Sequence, residues 1–182
     1  RRRTALQADA STTDSHEMAT FFVDAGIFAL DAQGVLEALP ASAIASVSAG
    51  RLPYCIGTLA RKSHGNITGY VWVFDLGHLL RGEPSEITQQ SQVIVLQHEG
   101  RRVGLLVNEL HGVTAFSGSK IIVAPSLPGH NGRLITRLIK ANEGKILVQC
   151  LDVARLMEVL RRPAEGDFKA STEPSYSAPS AL

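Results

Sequence analysis

The chain has 182 residues, 45% of them hydrophobic and 19% charged, with a formal net charge of +1. That length and apolar content suffice to bury a core, as one ordinary soluble domain or two small lobes. So small a net charge gives no general attraction to nucleic acid or to anionic membrane, and the basic run Arg1-Arg2-Arg3 lacks interleaved aromatics and reads as a solvated terminus. No apolar run approaches the roughly 20 residues that cross a bilayer, and no signal peptide is visible.

Residues 1–17 are polar and unpatterned and are predicted to be an N-terminal tail or linker; because the chain opens on Arg1, it reads as a segment of a longer protein. Residues 19–23 and 27–30 are predicted strands around the turn Asp24-Ala25-Gly26, with Gly26 taking the positive φ. A short helix is predicted over 32–39. The apolar run Val71-Trp72-Val73-Phe74 leads into a second short helix over 76–80, and Asp75 stands at its N-cap. Residues 93–97 and 102–107 flank Glu99-Gly100 as a hairpin, and 134–140 and 145–150 flank Asn142-Glu143-Gly144 as another. The last strand repeats the earlier pattern: Asp152 opens a helix over 153–160 whose Val153, Leu156, Met157 and Leu160 form one stripe, and Pro163 ends it. Residues 163–182, rich in Ser, Pro, Ala and Glu, are predicted to be a flexible C-terminal tail, leaving 18–162 as the folded domain. Short strands with helices only as closures argue for a mostly β protein built of small barrels.

Catalytic chemistry needs convergent groups, and the sequence offers few. Histidines at 16, 64, 78, 98, 111 and 130 show no ligand spacing, so no metal is expected. There is no Gly-x-Ser-x-Gly elbow and no Gly-x-Gly-x-x-Gly; Ser117-Gly118-Ser119-Lys120 carries a lysine at the wrong spacing for a phosphate loop, so no nucleotide or other cofactor is expected. His64 and His111 are conceivable acids or bases, but without a local carboxylate each reads as an exposed turn histidine. Asp75 and Asp152 read as caps rather than catalysts. Cys55 and Cys150 lie in apolar segments and read as buried thiols, consistent with a reducing, cytoplasmic setting.

The order of blocks resembles a known family. Phe21-Phe22-Val23, Ile27-Phe28-Ala29-Leu30, Val35-Leu36-Glu37, Leu52-Pro53-Tyr54-Cys55-Ile56-Gly57 and Val73-Phe74-Asp75-Leu76 look like the first half of a CheW-like chemotaxis coupling domain. Val93-Ile94-Val95-Leu96, the run from Val103 to Leu110, residues 121–125 and the closing 147–156 continue in the family's order. The resemblance implies two five-stranded SH3-like barrels packed on a shared core, no catalytic activity, and an adaptor role joining chemoreceptor cytoplasmic tips to the regulatory domain of a CheA-type histidine kinase, with no nucleic acid and no membrane insertion. It also implies partner-binding residues. Val35 and Glu37 match the segment that in relatives helps form the receptor-facing groove; the alternative leaves Val35 in a small core and Glu37 solvated. Arg61 and Lys62 keep positive charge near the family's usual arginine, but the Arg-Gly pair is absent, Ser63-His64-Gly65-Asn66 adds residues, Trp72 replaces a usual proline and Asn108 a usual aspartate. These departures speak against the glutamate–arginine pairing of relatives and for a domain of a larger sensory protein. Two other readings stand beside the adaptor: an enzyme or small-molecule sensor with a ligand between the lobes, and a module that only dimerises through an exposed strand edge.

Overall fold

The computed structural model describes residue 6 and residues 14–47, 52–126 and 132–161. The run Arg1-Arg2-Arg3, His130 and the predicted tail 163–182 lie outside these residues. In chain order the strands are β1 (Ser15–Val23), β2 (Gly26–Asp31), β3 (Val35–Pro40), β4 (Ala45–Ser46), β5 (Cys55–Ser63) and β6 (Asn66–Asp75); helix α1 (Leu76–Arg81) follows. Then come β7 (Gln92–His98), β8 (Arg101–Val107), β9 (Glu109–Ser117), β10 (Ile121–Val123), β11 (Ile135–Ala141), β12 (Ile146–Leu151) and helix α2 (Val153–Arg161). They form two six-stranded sheets, ordered β10-β11-β12-β2-β1-β9 in lobe 1 and β3-β7-β8-β6-β5-β4 in lobe 2. The protein is therefore mostly β, with two lobes and a C-terminal helix. The sixth strand of each sheet is a short stub at the edge, β10 or β4, beside the five that the resemblance implies.

Both sheets must curl, and the connections show why. β3 and β4 sit at opposite edges of lobe 2, yet only residues 41–44 join them, including the 3-10 turn Ala41–Ala43. That link reaches about 17 Å at full stretch, whereas a flat sheet of six strands is about 24 Å across. Lobe 1 repeats the device, with the 3-10 turn Gly118–Lys120 joining β9 to β10. Gly57 admits the edge strand closely, since a Cβ there would meet the Ala45 carbonyl oxygen.

Three apolar clusters result. Met18, Ala29, Phe116, Ile139, Val148 and Cys150 fill lobe 1; Leu59, Val71, Val73, Val93, Val95 and Leu106 fill lobe 2. The largest lies between the lobes, where Phe21, Leu30, Phe74, Ile94, Leu96 and Leu105 meet, with Leu156, Met157 and Leu160 of α2. Central strands such as β8 are buried on both faces, which is why they read as unbroken apolar runs. Arg101 fastens α2 by donating to the carbonyls of Met157 (2.8 Å) and Leu160 (3.4 Å). Arg81 of lobe 2 pairs with Asp24 of lobe 1 at 2.7 Å, and the Asp24 backbone N–H donates to Asn108 Oδ1.

Three predicted features differ. Residues 32–39 are not a helix: Asp31 caps a single 3-10 turn, Ala32–Gly34, and β3 follows. Apolar residues at 35, 36, 38 and 39 suit either period, and pairing with β7 decides. In the first hairpin the positive φ belongs to Asp24, at 51°, while Gly26 already pairs with Val23. Ser15, His16 and Glu17, assigned to a tail, pair with β9 and belong to β1, and Leu6 is buried in lobe 1. The added Ser63-His64-Gly65-Asn66 segment is a strand hairpin in which His64 and Gly65 take left-handed φ values of 50° and 81°.

Candidate functional site

Val35, Glu37, Arg61 and Lys62 all lie in lobe 2, but not on one face. β3 carries a bulge between Val35 and Glu37: Val35 pairs with Leu96, whereas Glu37 pairs with Val95. In a regular strand residues two apart share a face; the bulge breaks that rule. Val35 accordingly packs against the inter-lobe cluster, Leu36 is exposed, and Glu37 turns to the side of the Leu59–Val95 barrel interior. On β5, Arg61 shares a face with Leu59. Its Nε donates to Glu37 Oε1 at 2.9 Å, with side-chain exposures of 20% and 30%. The pairing that the altered loop argued against is thus formed. It needs only that strand β5 extend to Ser63, which the His64-Gly65 turn allows. Lys62, next in sequence, is exposed on the opposite face.

Val35 is half-buried, so it is neither wholly core nor wholly surface. The exposed Leu36 beside it was not singled out from sequence; only the bulge reveals it.

The candidate acids and bases do not converge. His64 is exposed at its hairpin tip, with Ser63 Oγ at 3.1 Å from Nδ1. His111 is not on a turn. It lies half-buried in β9, at a register shift opposite Thr20–Phe21, with Nδ1 2.9 Å from Thr20 Oγ1 and Nε2 accepting from the Leu6 N–H at 3.4 Å. Thr20 Oγ1 donates onward to the Gly112 carbonyl at 2.9 Å, so the histidine is part of lobe 1's internal bonding. Asp75 is 2% exposed and accepts from the His78 N–H (3.0 Å), the Ser85 N–H (2.7 Å) and the Ser85 hydroxyl (2.6 Å); it caps α1 and ties down the loop behind it. Gly82 closes that helix with a left-handed φ of 86°. Asp152 accepts from the Arg155 N–H at 2.9 Å and caps α2. Burial pushes the Cys150 thiol up to about 11, and the Cys55 thiol upward as well. Among the described residues, no three His, Cys, Asp or Glu side chains group as a metal site, and no helix is long and apolar enough to cross a membrane.

Two curled β lobes share an apolar core, and an ion pair closes the seam of one barrel. The CheW-like domain model matches residues 17–161, and the chain belongs to that family. Its fold is similar to that of the scaffolding protein TtCheW from Thermoanaerobacter tengcongensis, at a TM-score of 0.62 and 17% identity, covering 76% of this chain and 89% of that one. No curated protein sequence matches the chain.

Proposed function

We propose that this domain is a non-catalytic adaptor of a chemotaxis-type pathway, docking a chemoreceptor cytoplasmic tip, a CheA-type kinase regulatory domain, or both, from the cytoplasmic side. Membership of the CheW-like family across residues 17–161 is the observation that carries the reading. The reading puts the docking surface of lobe 2 at the β3 bulge, where Val35 and Leu36 offer apolar contact and the Glu37–Arg61 pair offers charge, and leaves Lys62, on the opposite face of β5, outside it. A ligand lodged between the lobes has little to support it, because Phe21, Leu30, Phe74 and Leu105 pack into that space. Titration calorimetry of the chain against a receptor-tip fragment and a kinase regulatory domain tests the proposal. Saturable binding to at least one is expected; heat of dilution alone in both titrations rejects it.

A further inference from the structure

Leu6 enters lobe 1 from outside its sheet. It belongs to no strand or helix among the described residues, yet it is 8% exposed and joins the cluster of Met18, Phe116, Ile139, Val148 and Cys150. Its N–H donates to His111 Nε2 at 3.4 Å, the one polar contact that the described residues give it. His111 is set to receive that donor. Thr20 pairs with Gly112 and Phe21 with Leu110, which leaves His111 as the extra residue of a bulge in β9, and bulges re-aim side chains. Its ring stands edge to face with buried Phe22 and against buried Thr20. The Thr20 hydroxyl gives its hydrogen to the Gly112 carbonyl at 2.9 Å, so toward His111, also 2.9 Å away, Oγ1 is an acceptor and Nδ1 carries the proton. The lone pair of that neutral imidazole is then on Nε2, facing the Leu6 N–H.

We propose that this arrangement is a binding site in lobe 1 for an extended peptide with a leucine-like side chain, that the chain's own Leu6 fills it in the free protein, and that an apolar residue of a partner's peptide displaces Leu6. The way Leu6 is held carries the proposal. A residue of the sheet is fixed by ladder bonds as well as by packing, whereas Leu6 is fixed by one side chain and one N–H, the two elements by which a pocket recognises a peptide. At 3.4 Å that N–H bond is long, so the polar hold is loose enough to exchange. The acceptor does not leave with its occupant, because Thr20, Phe22 and Gly112 of β1 and β9 keep His111 in place. The site is in lobe 1 and stands apart from the docking surface read at the β3 bulge of lobe 2.

The test uses the full chain carrying Leu6→Ala, with a peptide of residues 1–13 as the probe and chemical-shift titration as the readout. Saturable shifts at His111, Phe116 and Cys150 are expected, with binding about tenfold weaker in the natural chain, where the tethered Leu6 competes. The same peptide with Leu6→Ala should leave those signals in place. Leu6→Val, which keeps part of the plug, serves where Leu6→Ala does not fold. Absence of saturable shifts in the variant chain, or equal shifts from the two peptides, overturns the proposal. An Nε2–H tautomer of His111 in the imidazole 15N spectrum of the natural chain also overturns it, since Leu6 would then face a donor.

Discussion

Arg61 Nε and Glu37 Oε1 meet at 2.9 Å although three strands separate β5 from β3 in the sheet. The contact is possible only because the sheet curls, and it closes the seam where the two ends of the barrel approach. Each charge neutralises the other, so a partner that touches one must reckon with both.

The pair is partly exposed, and its stabilising value is about 0.2–1 kcal/mol. Glu37→Lys sets two cations together, and a fall of a few degrees in the thermal midpoint is expected, with weaker binding of the receptor tip or kinase domain. Adding Arg61→Glu restores the midpoint and part of the affinity. Adding Lys62→Glu restores neither, because Lys62 faces the other way. Calorimetric scans and titrations of the three variants decide; equal rescue by the two second-site changes would sink the seam as the determinant.

Val35 contributes to core and surface together. Val35→Ala removes two half-buried methyl groups and is expected to cost about 1 kcal/mol, read as a lowered urea midpoint. Leu36→Ala touches less packing and is expected to leave the midpoint within about 0.5 kcal/mol while lowering affinity. A binding loss for Val35→Ala with unchanged Leu36→Ala affinity would move the docking surface away from the bulge.

How much of this was legible in the sequence follows from how local each determinant is. The caps at Asp75 and Asp152 and the hairpin at Glu99-Gly100 are short-range and were readable. The β3 strand was not, since Val35, Leu36, Ala38 and Leu39 fit a helical stripe until β7 offers a partner. The separation of Val35 from Glu37 depends on one bulge, which no residue type in that segment announces. The Glu37–Arg61 contact depends on curling of a whole sheet. The family resemblance pointed to the segment, and its departures pointed away from the pair that actually forms.

Cys150 gives the fold a defined alkaline limit. Burial pushes its thiol from 9.0 to about 11, outweighing the nearby Arg137 charge that pulls it down. The unfolded chain therefore releases this proton first as pH rises past 9, and stability falls from there until the folded thiol ionises near 11. The loss amounts to roughly 2–3 kcal/mol over that window. Cys150→Ala starts less stable but loses less between pH 9 and 11; parallel midpoint–pH curves for the two chains would reject the assignment.

Asp75 and Asp152 occupy equivalent strand-to-helix junctions and are expected to differ sharply when removed. Asp152 is half-buried and accepts from one backbone N–H, so Asp152→Ala costs about 1 kcal/mol, the usual value of an N-cap. Asp75 is almost fully buried and satisfies two backbone N–H groups and the Ser85 hydroxyl. Asp75→Ala strands those donors, each at about 1–3 kcal/mol unless water reaches it, and frees the loop from Gly82 to Ser85. Asp75→Asn keeps an acceptor for the cap but brings an amide N–H against a donor, and is expected to fall between. Urea unfolding should rank the losses as Asp75→Ala, then Asp75→Asn, then Asp152→Ala, with hydrogen exchange at Ser85 accelerated only in the Asp75 variants. Equal costs at the two junctions would show that the loop tie adds nothing to the cap.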